Sequence, residues 1–277
     1  MRLETTPRQL LKSVGKQISQ AEAEFLLTAL LRLPRHELYL TERPVPTRIL
    51  RRFQQLVARA RKGEPVQFLV HSAPFLDLDL YVDRRCLIPR PETEELVLRA
   101  ADRLKNPSLI IDYGTGSGCI AIALARIFPQ TRLFAVDASR PALAVCRRNV
   151  RRYRLSSRIR LLHSQDLSHP ALCRLKGRVD LIISNPPYIP SKRIGRLEPG
   201  VRKHEPRLAL DGGPKGARIV KMLLEQAPLF LRPGGLLALE IDHTQGRLVR
   251  ALVPDVVIER DLAGRIRYAF LKRGAQR

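Results

Sequence analysis

Asn185-Pro186-Pro187-Tyr188 follows the apolar run "VDLIIS" and has the most distinctive chemistry in the chain. Neither proline carries a backbone N–H, so the loop is poor in donors and rich in acceptors. It suits a partner that brings N–H groups of its own. An amide or arylamine nitrogen is such a partner, and a poor nucleophile because its lone pair is delocalised. The Asn185 side-chain oxygen and the Pro186 carbonyl can each accept one of its N–H bonds and hold the lone pair in line with an electrophilic carbon. Tyr188 can lie on the flat face of the accepting group.

A second constellation is "DYGTGSG", Asp112 to Gly118, between a strand and a helix. Gly114, Gly116 and Gly118 let a ligand approach the backbone closely. Asp137 ends the next strand, where a carboxylate suits the two hydroxyls of a ribose. After the third strand, Asp166 can accept from an exocyclic amine and Leu167 can pack on a base. The glycine loop fits a nicotinamide site, an S-adenosylmethionine site or a tight turn. It lacks a Gly-Lys-Ser/Thr ending, so it is no P-loop, and Ser117 is not in the spacing of a hydrolase elbow. A nicotinamide enzyme has no use for the Asn185 loop; an amino methyltransferase has.

The elements that must position these residues follow from periodicity. "SLIID", "RLFAV", "IRLLH", "VDLIIS", "GLLALEI", "VVIERD" and "IRYAFL" read as strands. Between them "CIAIALARIF", "PALAVCRRNVRRY", "GARIVKMLLEQAPLFL" and "TQGRLVRALV" read as helices. The alternation predicts a doubly wound, mostly parallel seven-stranded α/β sheet with ligands at the strand carboxyl ends. The last two strands leave no room for a crossover and should pair antiparallel. Upstream, "QAEAEFLLTALL" is helical and ends by Pro34; Thr47 is placed to cap "RILRRFQQLVARARK", which Gly63 closes. Val66 to Val82 changes period and reads as a β-hairpin linker, and "RPETEELVLRAADRL" opens a helix with Pro91 in its first turn and acids behind it. The expected division is a helical domain at 1–63, a linker at 64–88 and a ligand-binding domain at 89–277.

The 277 residues hold 50 Lys plus Arg against 26 Asp plus Glu, a formal charge of +24. That balance attracts polyanions and steers association, and leaves open an electrostatic contact with RNA or the ribosome. Arg147, Arg148, Arg151, Arg152, Arg154, Arg158 and Arg160 crowd one region, either as a solvated helix face or as such a footprint. No apolar run is long enough for a bilayer, and no signal-peptide core is evident, so a cytoplasmic protein is expected. The four cysteines lie far apart, without Cys-x-x-Cys, and no His-Glu-x-x-His occurs. They are expected to be core fillers, with neither metal site nor disulfide framework.

Taken together, "AEAEFLL", "GEPVQFL", "LIPRPETEELV", "DYGTGSG", "AVDAS", "SNPPYIP", "VRKHEPRLALDGG", "LALEI" and "RDLAGRIR" resemble the peptide chain release factor glutamine N5-methyltransferases. These belong to the class I S-adenosylmethionine-dependent methyltransferases with a Rossmann-like fold. The resemblance covers nearly the whole chain. It implies methylation of the side-chain amide of the glutamine in the Gly-Gly-Gln tip of release factors, in a bacterium or an organelle, by a monomer whose helical domain helps grip the factor. It places Gly114, Thr115, Gly116, Ser117, Gly118, Asp137, Asp166, Leu167 and Asn185 at the cofactor, and Asn185, Pro186, Pro187, Tyr188, Arg90 and Glu92 at the glutamine. Three positions depart from the pattern: Tyr113 replaces the usual leucine, Leu167 an aromatic of some relatives, and "GRIRYAF" lacks the usual Asp-Arg. Competing expectations are methylation of a ribosomal-protein glutamine or of adenine or guanine in nucleic acid, and a non-catalytic RNA- or ribosome-binding protein on the same fold.

Overall fold

Apolar residues at helical spacing before Ser72 and continuous apolar runs after Ser108 build different objects. A computed structural model describes residues 5–15 and 17–274. Residues 1–4, 16 and 275–277, which fall in the expected first and last segments, lie outside them. Two compact units result: one runs to Ser72 and takes in Glu198–His204, the other holds Ala73–Leu197 and Glu205–Arg277.

The first unit is helical: Pro7–Val14, Gln20–Leu31, Glu37–Leu40, Thr47–Ala60 and Val66–Val70, with Pro199–His204. Reciprocal side-chain caps start two of these. Thr6 N–H donates to Gln9 Oε1 at 3.0 Å, and Ser19 N–H to Glu22 Oε2 at 2.9 Å, each satisfying a donor that a helix start leaves orphaned. Leu26, Leu27, Leu38, Phe53, Leu56 and Leu69 form its core.

Three expectations need correction here. Thr47 is not a cap: Pro46 stands at the cap and Thr47 is the first helical residue. The second helix stops at Ala60, short of its expected end at Lys62, whereas the first ends at Leu31 as expected, where Arg32 turns left-handed at φ 57°. Val66–Val70 is helix rather than strand, burying Val66, Phe68 and Leu69; a five-residue apolar run has no period that separates the two. The hairpin is only β1 (Ala73–Phe75) against β2 (Leu78–Leu80).

The second unit carries a seven-stranded sheet made of β3 (Leu109–Tyr113), β4 (Arg132–Asp137), β5 (Ile159–His163), β6 (Val179–Ser184), β7 (Leu231–Glu240), β8 (Val257–Arg260) and β9 (Ile266–Lys272). The order is β5-β4-β3-β6-β7-β9-β8, with β9 antiparallel to both neighbours and the rest parallel. Successive residues feed opposite faces, as a pleat requires. Ile110, Leu181 and Ile183 pack with the helices Pro91–Asp102, Cys119–Ile127 and Arg140–Arg152. Ile111, Ile182 and Leu237 pack with Arg218–Phe230 and Gly246–Leu252. The chain reverses its direction of travel between β3 and β6, which opens a crevice at their carboxyl ends. Cys86, Cys119 and Cys146 are buried fillers as expected, but Cys173 is exposed. Its short helix, Pro170–Cys173, turns only Leu172 fully inward.

Candidate active site

A cavity of about 540 Å³ occupies that crevice, within the range of small-molecule sites. Four strand ends and the loops that follow them wall it: Tyr113, Gly114 and Gly116 at β3; Asp137, Ala138 and Ser139 at β4; Gln165 and Asp166 after β5; Asn185 and Pro187 after β6. Arg218, Ile219 and Met222 close another side.

The glycine loop is left-handed at Gly114 (φ 74°), Gly116 (φ 55°) and Gly118 (φ 87°), where a side chain costs about 1–2 kcal/mol. Their neighbours differ. A Cβ on Gly114 would stand 3.8 Å from the Asn185 carbonyl and one on Gly116 3.9 Å from the Gly114 carbonyl, so neither would clash. A Cβ on Gly118 would lie 2.8 Å from Cys146 Sγ. Gly118 therefore serves the packing of two helices and is not among the cavity residues, which corrects its expected approach to a ligand. Thr115 and Ser117 are buried beneath the loop. Thr115 Oγ1 donates to Asp112 Oδ2 at 2.6 Å, and Ala121 N–H to the same oxygen at 3.1 Å. Asp112 Oδ1 has no partner, and burial pushes the carboxyl up to about 7.

Asp137 lines the cavity and holds its shape. Gly116 N–H donates to Oδ2 and Ser139 N–H to Oδ1, both at 2.8 Å. Burial raises its proton affinity, and these two bonds draw it partly back. Asp166 also lines the cavity; the Ser168 hydroxyl and N–H both donate to Oδ1 and hold its carboxyl below the usual range. Leu167 does not line it. Its side chain is fully buried in the core, so packing on a base is corrected. Tyr113 turns its hydroxyl onto the Gln165 carbonyl at 2.5 Å, joining two walls.

The loop after β6 rests on a buried carboxylate. Asn185 Nδ2 donates to Thr93 Oγ1 at 2.8 Å, and Thr93 Oγ1 donates to Glu240 Oε2 at 2.8 Å. The Tyr188 hydroxyl donates to Glu240 Oε1 at 2.9 Å. Glu240 is 1% exposed and burial lifts its carboxyl to about 7. Pro186 is buried and Tyr188 half-buried. The far side of the loop lies backbone to backbone on a glycine turn. A Cβ on Gly212 would come within 2.5 Å of the Pro187 carbonyl, and one on Gly216 within 2.2 Å of the Tyr188 carbonyl. Gly212 N–H donates to the Ile189 carbonyl and Gln245 Nε2 to the Gly216 carbonyl.

Arg90 and Glu92 are not among the cavity residues. The Arg90 guanidinium pairs with buried Glu205 at 2.5 Å, and the Glu92 carbonyl accepts from the Tyr268 hydroxyl at 2.9 Å. Sequence reasoning missed Thr93, Glu240, Gly212, Gly216 and Arg218. The available signal was a glutamate inside the apolar strand "LLALEI", where a charge has to have a use. Among the described residues, no group of three or more His, Cys, Asp or Glu side chains is placed to hold a metal, and no helix is long and apolar enough to cross a membrane.

The chain is similar to known proteins. Family profiles described as "PrmC N-terminal domain" and "Methyltransferase small domain" match residues 6–70 and 94–196. A protein named release factor glutamine methyltransferase from Moorella thermoacetica is 40% identical over 91% of both chains. One of the same name from Thermosynechococcus vestitus is 42% identical over 76% of this chain and 75% of its own. A third, from Rhodopirellula baltica, is 35% identical over 99% and 96%. Among solved structures, a methyltransferase from Pyrococcus furiosus superposes with a TM-score of 0.54 at 18% identity, covering 83% of this chain and all of its own. The hMettl16 catalytic domain, solved with an RNA hairpin, gives 0.55 at 16% identity over 81% and 79%. The two structures establish the fold alone.

Proposed function

The chain belongs to the release factor glutamine methyltransferases, and from that premise we propose what its own residues do. The protein methylates glutamine of release factors with S-adenosylmethionine, which supplies an electrophilic methyl group on a sulfonium sulfur. The cavity fits that cofactor in size and in donors and acceptors. Gly114 and Gly116 leave the backbone bare for close approach, Asp137 accepts from the ribose hydroxyls, and Asp166 accepts from the adenine amine. Asn185 Oδ1 and the Pro186 carbonyl each accept an N–H of the glutamine side-chain amide and turn its nitrogen toward the cofactor, while Pro187 and Tyr188 wall its flat face. The glutamine is that of the factor's Gly-Gly-Gln tip.

One observation carries this assignment. The acceptor-rich loop and the glycine loop wall a single cavity, with the Asn185 carbonyl 3.8 Å from where a Cβ of Gly114 would stand. By the same reading residues 1–63 grip the factor, 64–88 connect, and 89–277 transfer the methyl group in a cytoplasmic monomer without a bound metal. The +24 charge supports an added electrostatic contact with RNA or the ribosome. Labelled S-adenosylmethionine offered in parallel to a release factor, ribosomal RNA, DNA and total ribosomal protein tests the assignment. One added methyl on the release-factor glutamine is expected, and label on nucleic acid alone refutes it.

A further inference from the structure

We propose that Glu240, acting through Thr93, is the positioning residue that decides which end of the Asn185 amide faces the cavity. The inference rests on the reading of Asn185 as an acceptor for the substrate amide, and deepens it. An asparagine presents an acceptor at one end and a donor at the other, of nearly equal shape. Only the acceptor end suits an incoming N–H, so something has to fix the orientation.

The hydrogen-bond chain does so by elimination. Glu240 is the last residue of β7, after the buried Leu236, Leu237, Ala238 and Leu239. Ionised, it has no proton to give, so both hydroxyls that reach it must donate: Thr93 Oγ1 at 2.8 Å and Tyr188 OH at 2.9 Å. Thr93 has then spent its only hydrogen, and its oxygen can only accept. The Asn185 group 2.8 Å away is therefore Nδ2. Oδ1, the other end of the same amide, is left for the cavity that Asn185 lines.

A proton on Glu240 Oε2, the oxygen that faces Thr93, lets the chain reverse. The carboxyl can then donate to Thr93, Thr93 donates to Asn185, and the amide turns Oδ1 inward and Nδ2 toward the substrate. A donor then meets a donor. The charged and titratable groups around Glu240 are Tyr188 after β6, Glu92 on the helix Pro91–Asp102, and Arg267 and Tyr268 on β9. Arg267 is shared with Asp261 at 3.3 Å, and the Tyr268 hydroxyl goes to the Glu92 carbonyl and Glu95 Oε2. Burial outweighs the pull of Arg267 and places the carboxyl near 7, so both orientations are within reach around neutral pH.

The test is single-turnover methylation of a release factor by the full chain across pH 5.5–8.5, with S-adenosylmethionine affinity measured on each variant. Wild-type rate should rise through a single ionisation near neutrality. Glu240→Gln should be at least about tenfold slower at pH 8 and lose that ionisation. Thr93→Val should slow the step about tenfold with cofactor affinity within about twofold, Thr93→Ser should restore it, and adding Thr93→Val to Asn185→Ala should slow the reaction no further. Melting temperatures separate a folding defect, and the wild-type pH profile and Thr93→Ser decide the matter if Thr93→Val is unfolded. A slow Asn185→Ala beside wild-type rates in Thr93→Val, or an unshifted ionisation in Glu240→Gln, overturns the positioning role and leaves Asn185 as acceptor. A wild-type rate in Asn185→Ala overturns both.

Discussion

Gly216→Ala should cripple methyl transfer while leaving the cofactor bound. The added Cβ would stand 2.2 Å from the Tyr188 carbonyl oxygen and 3.0 Å from Pro190 N. Both obstacles are backbone, so no side chain can swing aside, and the loop must retreat by roughly 1 Å to reach ordinary van der Waals contact. The retreat displaces the loop on which Asn185 and Tyr188 sit. Misplacing a reacting group by about 1 Å costs about a hundredfold in rate, or about 2.7 kcal/mol. The alanine also takes a backbone position at φ 71°, which costs about 1–2 kcal/mol wherever it occurs. Gly264 separates the two effects: its φ is 77° and nothing lies within 4 Å of its Cβ position. Gly264→Ala should therefore lose stability and keep its rate. Single-turnover methylation, cofactor titration and thermal melting of both variants form the assay. Cofactor affinity should change by less than about threefold in each, because Asp137 and Gly116 are untouched. A wild-type rate in Gly216→Ala, or an equal loss in Gly264→Ala, refutes the reasoning.

Asp137→Ala should weaken S-adenosylmethionine binding at least about tenfold, since a carboxylate accepting two hydroxyls makes charge-assisted bonds of about 1.5–3 kcal/mol each; an unchanged dissociation constant by calorimetry would remove Asp137 from the ribose. Asp112 should make the protein less stable as pH rises. Its carboxyl is raised from 3.8 unfolded to about 7 folded, so the native state binds the proton more tightly, and its contribution falls between about pH 4 and 7 and is level above. Asp112→Asn keeps an oxygen for Thr115 and Ala121 and should lose less of its urea midpoint between pH 5 and 8 than wild type; parallel losses would show that Asp112 does not titrate there. Added salt should slow reaction with the release factor more than it weakens cofactor binding, because +24 charges steer an acidic partner and are screened over about 8 Å at physiological strength. Equal sensitivity of the two steps would mean that the arginines are only solvated.

The parallel strands were legible because their apolar residues come in short dense runs bounded by turn residues, most fully in β6, which is buried along its whole length. "IRLLH" and "VDLIIS" match β5 and β6 residue for residue. β7 begins four residues before the expected "GLLALEI", since Pro233, Gly234 and Gly235 look like a turn although the strand passes through them. Helices of four to six residues, such as Glu37–Leu40 and Arg207–Leu210, are shorter than the pattern needed to see them. The places of Asp137, Asp166 and Asn185 at the cavity were legible because each lies at or just after the end of a strand that was legible. The position of a residue after a strand does not fix the direction of its side chain, which is why Leu167 was misplaced. Thr93 and Glu240 lie 147 positions apart, and no local pattern announces a bond across that span.

The chain passes between its two units more than once: it leaves the first at Ser72, returns to it for Glu198–His204, and leaves again at Glu205. Modularity is the casualty. A cut after Ser72 would yield two incomplete pieces, because a helix of the first unit is encoded beyond the Asn185 loop. Gly200 belongs with Gly63, whose carbonyl would lie 3.3 Å from a Cβ at position 200. Anyone grafting the first unit of one relative onto another must transplant two separate stretches of gene and match them to each other. A recombination point at the obvious boundary breeds chimeras with a mismatched helix, so the stretch up to Ser72 and Glu198–His204 have to be exchanged together.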